Sequence, residues 1–471
     1  MLHPLVILLI GAAVVIGAIL ALRLHAFLAL ILAALVVAFL TTPETIYEFA
    51  IGRGMTPAEA EALSTRPLAE RVADGFGRTV GQIGIVIAMA SVIGICLLES
   101  GGADRIVRSA LGRFGENRAP QVFAGSSFLL SIPVFFDTVF YLMMPLAKSM
   151  RVRTGKHYLF YILAIIAGGS MAHSLIPPTP GPLFIAEELG IDLGLMIAGG
   201  FVVGLPAAVT GFLYAGWAER KWGLPLEESP DALSRLKKLT ERPIAELPPL
   251  RLALLPIVLP VLLITSATGM ASLGPDEAGA WWQEVVFVLG EKNMALILGA
   301  AVALMMLFRS FSLKDSMPFV RDALLSAGLI VLIIGAGGAF GQVLQQTGIA
   351  GTMEGLTGSY QFAVLPIAFL MTTIIRAAQG SATVAMITSA GAFAGIATAA
   401  QLGFHPLYLA LAIGCGSKPL WWMNDSAFWI VTKMSGMSEE KGLLTLTPIL
   451  SIMGCSGLIV VLILAALFPL A

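Results

Sequence analysis

Charge is scarce in this sequence. Asp, Glu, Lys and Arg make up 12% of its 471 residues, about half the roughly 25% of a soluble globular domain. That shortage excludes an ordinary soluble protein and a solvated disordered chain. Basic charge is not in surplus either. Lys and Arg number 28 against 29 Asp and Glu, so no cationic face is available for a nucleic acid. Cysteine is nearly missing. Cys96, Cys415 and Cys455 all sit in apolar stretches, with no CxxC spacing, which excludes a disulfide framework and a thiolate metal site. The stretch 1–22 lacks a basic leader and a small-residue cleavage site followed by soluble sequence, and it reads as a retained span. Neither a metal nor a cofactor is expected.

What is present is apolar. Hydrophobic types make up 57% of the chain, and mean hydropathy is +0.89. A run of about 20 apolar residues crosses the bilayer core as a helix. Such runs recur near 4–22, 26–42, 79–98, 158–185, 191–217, 252–269, 287–308, 322–345, 406–433 and 443–469. The expected class is an all-α polytopic membrane protein with about ten spans.

Two apolar stretches do not fit a simple crossing. The stretch 119–147 is too short for two spans, yet basic residues flank it on both sides. Arg105, Arg108, Arg113 and Arg118 precede it, and Lys148, Arg151, Arg153 and Lys156 follow. Cytoplasmic loops collect Lys and Arg, so both ends are expected inside. A re-entrant hairpin satisfies this, with its turn near Ile132-Pro133-Val134, where proline removes a backbone donor. The stretch 361–398 has no Lys or Arg at 346–360 or 399–405, which predicts a second hairpin, entering from outside. Threading the sides through the chain places 21 of the 28 Lys and Arg inside and five outside. Both termini are then expected outside.

The chain also aligns with itself at an offset of 246 residues. Gly102 meets Gly348, Gly112 meets Gly358, Pro120 meets Pro366 and Phe123 meets Phe369. The first hairpin falls on the second, and the Pro-rich interruption at 173–182 falls on 419–426. The expected organisation is a first repeat at 1–217, a cytoplasmic linker at 218–251 and a second, inverted repeat at 252–471. Each repeat holds one hairpin (119–147, 361–398) and one broken helix (158–189, 406–433). Inverted repeats with interrupted helices are a transporter signature.

Lipid cannot satisfy free backbone groups, so irregular chain at depth must be buried in protein or face a water-filled cavity. The hairpin tips and helix breaks therefore nominate the site. In the second tip Gly380 allows close backbone approach, while Gln379, Ser381 and Thr383 offer hydrogen bonds to hydroxyls. Arg376 can grip a carboxylate in a two-pronged fork, or it can be consumed in a salt bridge to Asp137 or Asp425. Thr138, Thr179, Asn424 and Ser426 are further candidates for hydroxyl contacts. Asp137 and Asp425 are the acids most plainly within the membrane, and either could carry a proton. His173 is a candidate relay or a packed side chain. Lys418 is expected to snorkel, and Trp421, Trp422 and Trp429 to act as interface anchors.

Four motifs in matching order carry a resemblance over nearly the whole chain. They are Leu98-Glu99-Ser100-Gly101-Gly102-Ala103, the run His173 to Pro182, Ala378-Gln379-Gly380-Ser381-Ala382-Thr383-Val384-Ala385, and Asn424-Asp425-Ser426-Ala427-Phe428-Trp429. Together they resemble the gluconate permease family of the ion transporter superfamily. The resemblance implies symport of gluconate or a related sugar acid with protons, a homodimer and elevator-like alternating access in a bacterial inner membrane. The sequence departs from the family pattern at Asp137, where many members have Glu, at Ala427, and through Ser417-Lys418-Pro419-Leu420-Trp421-Trp422. Rival expectations are a sodium-coupled carboxylate carrier, a cation/proton antiporter, a channel, and an intramembrane aspartyl protease pairing Asp137 with Asp425.

Overall fold

The computed structural model describes residues 2–226, 243–272, 281–349, 363–399 and 402–470. Residues 227–242 of the polar segment expected at 218–251 and the first two residues of the hairpin at 361–398 lie outside these ranges. The described residues form α-helices and two single-turn 3-10 helices, with no strand among them. In chain order the helices are α1 Pro4–Leu20, α2 Ala26–Leu40, α3 Pro43–Gly52, α4 Pro57–Ser64, α5 Leu68–Glu99, α6 Gly102–Phe114, α7 Ala119–Leu130, α8 Phe136–Thr154, α9 Tyr158–Leu175, α10 Pro180–Glu188 and α11 Leu193–Trp222. They continue with α12 Leu250–Ser272, α13 Trp281–Gly290, α14 Lys292–Ser310, α15 Leu313–Gln345, α16 Val364–Gln379, α17 Ala382–Ala399, α18 Pro406–Gly416, α19 Ser426–Ser435 and α20 Glu439–Leu467.

Seven helices are long and apolar enough to cross a membrane among the described residues, counting α9 and α10 together. Three of the ten expected spans are shorter pieces. The stretch 4–22 yields a 17-residue α1. The stretch 26–42 yields α2, which turns by 96° into α3. Pro43 has no N–H to extend α2, and the Thr42 side chain accepts from the Thr45 amide, so a new helix starts there. The stretch 406–433 divides into α18 and α19. In contrast, α5 begins eleven residues before its apolar run, at Leu68. The sequence placed Arg71 in an aqueous segment. It is buried instead, donating to Gln346 Oε1 and to the Ala38 carbonyl, both at 2.8 Å. Two acceptors make that burial tolerable. Helix α4 is closed by a reciprocal capping box of Thr56 and Glu59. Hydrogen bonds from the Thr56 backbone and hydroxyl hold the Glu59 carboxyl below its usual range.

Chain breaks fall where proline and polar residues interrupt the apolar runs. The first hairpin divides at 131–135 between α7 and α8, across Pro133. The second divides at Gly380-Ser381 between α16 and α17. The two broken spans part at 176–179 and at 417–425. Helix starts in the second half follow those in the first at the self-alignment offset. Phe136, Pro180 and Leu193 open α8, α10 and α11, while Ala382, Ser426 and Glu439 open α17, α19 and α20. Thr210 on α11 and Ser456 on α20, themselves 246 residues apart, share a hydrogen bond of 2.8 Å.

Helix α9 is apolar on every face and almost wholly buried, packed between α7 and α11. Between membrane helices lipid is as apolar as leucine, so small residues and close packing hold the assembly. Gly168 is the tightest such contact on α9. A Cβ there would lie 2.0 Å from the Ala124 carbonyl oxygen on α7, so Gly168→Ala must push backbone apart. A loss of about 1–3 kcal/mol is expected from overpacking of this kind. Thermal denaturation in detergent measures it, and an unchanged midpoint would refute the contact.

Candidate functional site

Arg376 organises the site from the last turn of α16. Its Nη2 forms an ion pair with Asp425 Oδ2, and its Nε donates to the Ser417 carbonyl at 3.2 Å. Asp425 in turn caps α19, its Oδ1 accepting from the Ala427 amide at 2.7 Å. One guanidinium thus ties the carboxyl end of α18 to the amino end of α19 across the unwound 417–425 segment. A cation suits the former, and a carboxylate the latter. Arg376 is only 3% exposed, and its Nη1 is buried without a partner.

Gly380 ends α16 at φ +84°, in the left-handed region that glycine enters without strain. Its amide donates to the Arg376 carbonyl at 2.9 Å. The tip presses on the second break so closely that a Cβ would stand 2.2 Å from the Asn424 carbonyl oxygen. Asn424 Nδ2 and Trp422 Nε1 both donate to the Ala377 carbonyl, at 2.7 and 2.9 Å, and hold the break on the exposed end of α16.

These segments surround a cavity of about 260 Å³. The first tip contributes Phe135, Phe136 and Asp137, and α9 contributes Ser170 and His173. The second tip contributes Arg376 and Gly380 to Thr383, and the second break contributes Ser417, Lys418, Trp421, Asp425 and Ser426. The first turns of α8, α17 and α19 all reach it. Helix amino ends carry free N–H groups and partial positive charge, which favours an anion. Two cations and two acids line the same space. Asp137 has no hydrogen bond or ion pair among the described residues, but lies within electrostatic reach of Asp425 and Arg376. The lining also includes apolar side chains: Ile330 and Ile333 of α15 and Leu450 of α20.

Of the residues nominated from sequence, Asp137, His173, Arg376, Gly380, Ser381, Thr383, Asp425 and Ser426 line the cavity. The amide of Gln379 is buried with neither Oε1 nor Nε2 partnered, and the Asn424 Oδ1 is likewise unpartnered; neither residue is among those lining the cavity. Two residues are not brought in. Thr138 faces the α5 side, near Gly94 and Val134, because one step along a helix from Asp137 turns about 100° away. Thr179 is buried with its hydroxyl donating to the Ile176 carbonyl at 2.7 Å.

Two expectations are corrected. Lys418 does not snorkel; it is 4% exposed and faces the cavity. Trp421 is no interface anchor; it is 2% exposed and meets Phe136 and Phe428 edge-on. Trp422 and Trp429 remain partly exposed. Sequence reasoning missed Ser170 on the cavity wall, although it sits three residues before His173 and so on the same helix face. Nothing in the sequence separated Trp421 from Trp422.

A multi-span helical protein whose interrupted helices meet around a charged cavity has the build of a membrane transporter. The comparisons with known proteins agree. The sequence profile of the GntP family permease matches residues 3–467. A gluconate permease of Pseudomonas aeruginosa is 33% identical over 396 residues, covering 83% of this chain and 86% of that protein. An uncharacterized permease of Haemophilus influenzae is 32% identical over 448 residues, covering 93% of this chain and 87% of its own length. The crystal structure of the Alcanivorax borkumensis YdaH transporter superposes with a TM-score of 0.58 at 16% identity, over 84% of this chain and 88% of that one. The chain belongs to the GntP permease family, and it shares its fold with that transporter.

Proposed function

We propose that the chain is a secondary transporter that carries gluconate or a closely related sugar acid into the cell together with protons. The observation that carries this reading is the single cavity walled by both hairpin tips and both broken spans, with Arg376 held beside Asp425 and with Asp137 unpaired. An unpartnered guanidinium nitrogen and three helix amino ends suit a carboxylate. The hydroxyls of Ser170, Ser381, Thr383 and Ser426 suit a polyol. The unpartnered Gln379 amide and Asn424 Oδ1 adjoin the lining residues Gly380 and Asp425 in sequence. The aromatic edges of Phe135, Phe136 and Trp421 suit the carbon chain. Asp137, the acid left free, is the proton carrier in this reading. The relative named gluconate permease supports the cargo class.

The wall chemistry supports elevator-like alternating access. The polar lining groups come from the hairpins, the broken helices and α9, while α15 presents only Ile330 and Ile333. An apolar wall holds no hydrogen bond that must break as cargo moves past it. The constant offset of helix starts supports two repeats at 1–217 and 252–471, inverted by the distribution of basic residues, with both termini outside an inner membrane. The reading includes a homodimer.

The test is uptake of labelled gluconate into proteoliposomes with an alkaline interior. Accumulation is expected, to collapse with a protonophore and to persist when Na⁺ is replaced by K⁺. Dependence on Na⁺ would favour the sodium-coupled reading, and no uptake of any sugar acid by folded protein would defeat the proposal.

A further inference from the structure

Counting charges on the cavity wall singles out Lys418. Arg376 and Asp425 neutralise each other through their ion pair. Lys418 has no such partner: its ammonium makes no hydrogen bond or ion pair among the described residues. Yet the residue is 4% exposed, and it faces the cavity within electrostatic reach of Arg376, Asp425 and His173. A buried ammonium without a counterion is costly unless an anion joins it. Arg376, which also lines the cavity within electrostatic reach of Lys418, offers in its Nη1 a second cationic donor without a partner among the described residues. Two like charges that remain close are stabilised by an anion placed between them.

We propose that Lys418 binds the carboxylate of the cargo jointly with Nη1 of Arg376, and thereby fixes the cargo's orientation. The inference rests on the sugar-acid reading above and adds a residue and a polarity to it. The carboxylate sits at the 417–418 end, and the hydroxylated chain runs toward Ser381, Thr383 and Asp137. When Asp137 carries its proton, one cation beyond the Arg376–Asp425 pair matches one carboxylate, so the site selects monoanionic sugar acids over their uncharged analogues.

The test is titration calorimetry on the purified full chain in detergent, with gluconate and with gluconamide, which differ only at the charged end. Wild type is expected to prefer gluconate by about tenfold or more, the contribution of one charge-assisted hydrogen bond. Lys418→Met, which keeps an unbranched flexible side chain but removes the ammonium, should weaken gluconate about tenfold or more and leave gluconamide nearly unchanged, so that the preference disappears. Lys418→Arg should keep it. Lys418→Gln is the second neutral variant, with a polar head group that preserves cavity hydration should the Met variant fail to fold. A merely structural lysine would lower both ligands together and spare their ratio. Retention of the wild-type preference in either neutral variant overturns the role of Lys418 while leaving the sugar-acid reading intact. Failure of wild type to bind gluconate overturns both, and it is recognised because it appears without any substitution.

Discussion

Arg376→Ala is expected to abolish the proposed gluconate uptake and to lower the stability of the protein. The substitution removes the unpartnered Nη1 from the cavity and leaves Asp425 buried with no counterion. Stranding one member of a buried ion pair costs about 3–5 kcal/mol. Asp425→Ala is expected to be comparably destabilising, with about 1 kcal/mol more lost from the uncapped amino end of α19. The double variant Arg376→Ala/Asp425→Ala should recover much of the stability, since neither member of the pair is left stranded, and recover none of the transport. Thermal denaturation in detergent reads the first effect and proteoliposome uptake the second. Strictly additive losses of stability would contradict the ion pair, because contacting charges couple. Normal uptake by folded Arg376→Ala would remove Arg376 from the site.

The second large effect belongs to Gly380→Ala. A methyl group there meets the Asn424 carbonyl oxygen at 2.2 Å, a backbone atom that cannot rotate aside. It also forces a non-glycine residue to φ +84°, worth about 1–2 kcal/mol of strain by itself. The second tip must then separate from the second break, and Arg376, four residues earlier, moves with it. Uptake is expected to fall about 100-fold or more, the scale of loss when a binding group is displaced by about 1 Å. Gly112→Ala provides the control. It lies within α6 with nothing near its added Cβ, and it should leave both uptake and stability within experimental scatter. Wild-type uptake by Gly380→Ala would show that the tip does not need its contact with Asn424.

Much of the site was legible because a membrane restricts what backbone can do. Proline and polar residues inside apolar runs had to mark interruptions, and interruptions at depth had to face a cavity or be buried. That reasoning reaches the breaks at 131–135, 176–179, 380–381 and 417–425, and through them Asp137, Arg376, Ser381 and Asp425. It fails at single-residue resolution on helices. Thr138 adjoins Asp137 in sequence but points away from it, and only the rotation of α8 decides which of the two meets the cavity. It also fails for Lys418 and Trp421. Amphipathic types in an unwound segment carry no periodicity, so no pattern shows which of them turns inward.

The sequence by itself determined the helical class, the places where helices must stop, and the family. These follow from local chemistry: apolar run length, missing donors at proline, and motifs read in order. Tertiary structure alone decided that Arg376 pairs with Asp425, that Lys418 has no counterion among the described residues, and that isoleucines of α15 join the cavity wall. Those facts depend on distances between segments tens to hundreds of residues apart, where packing of small residues, not local preference, sets who meets whom.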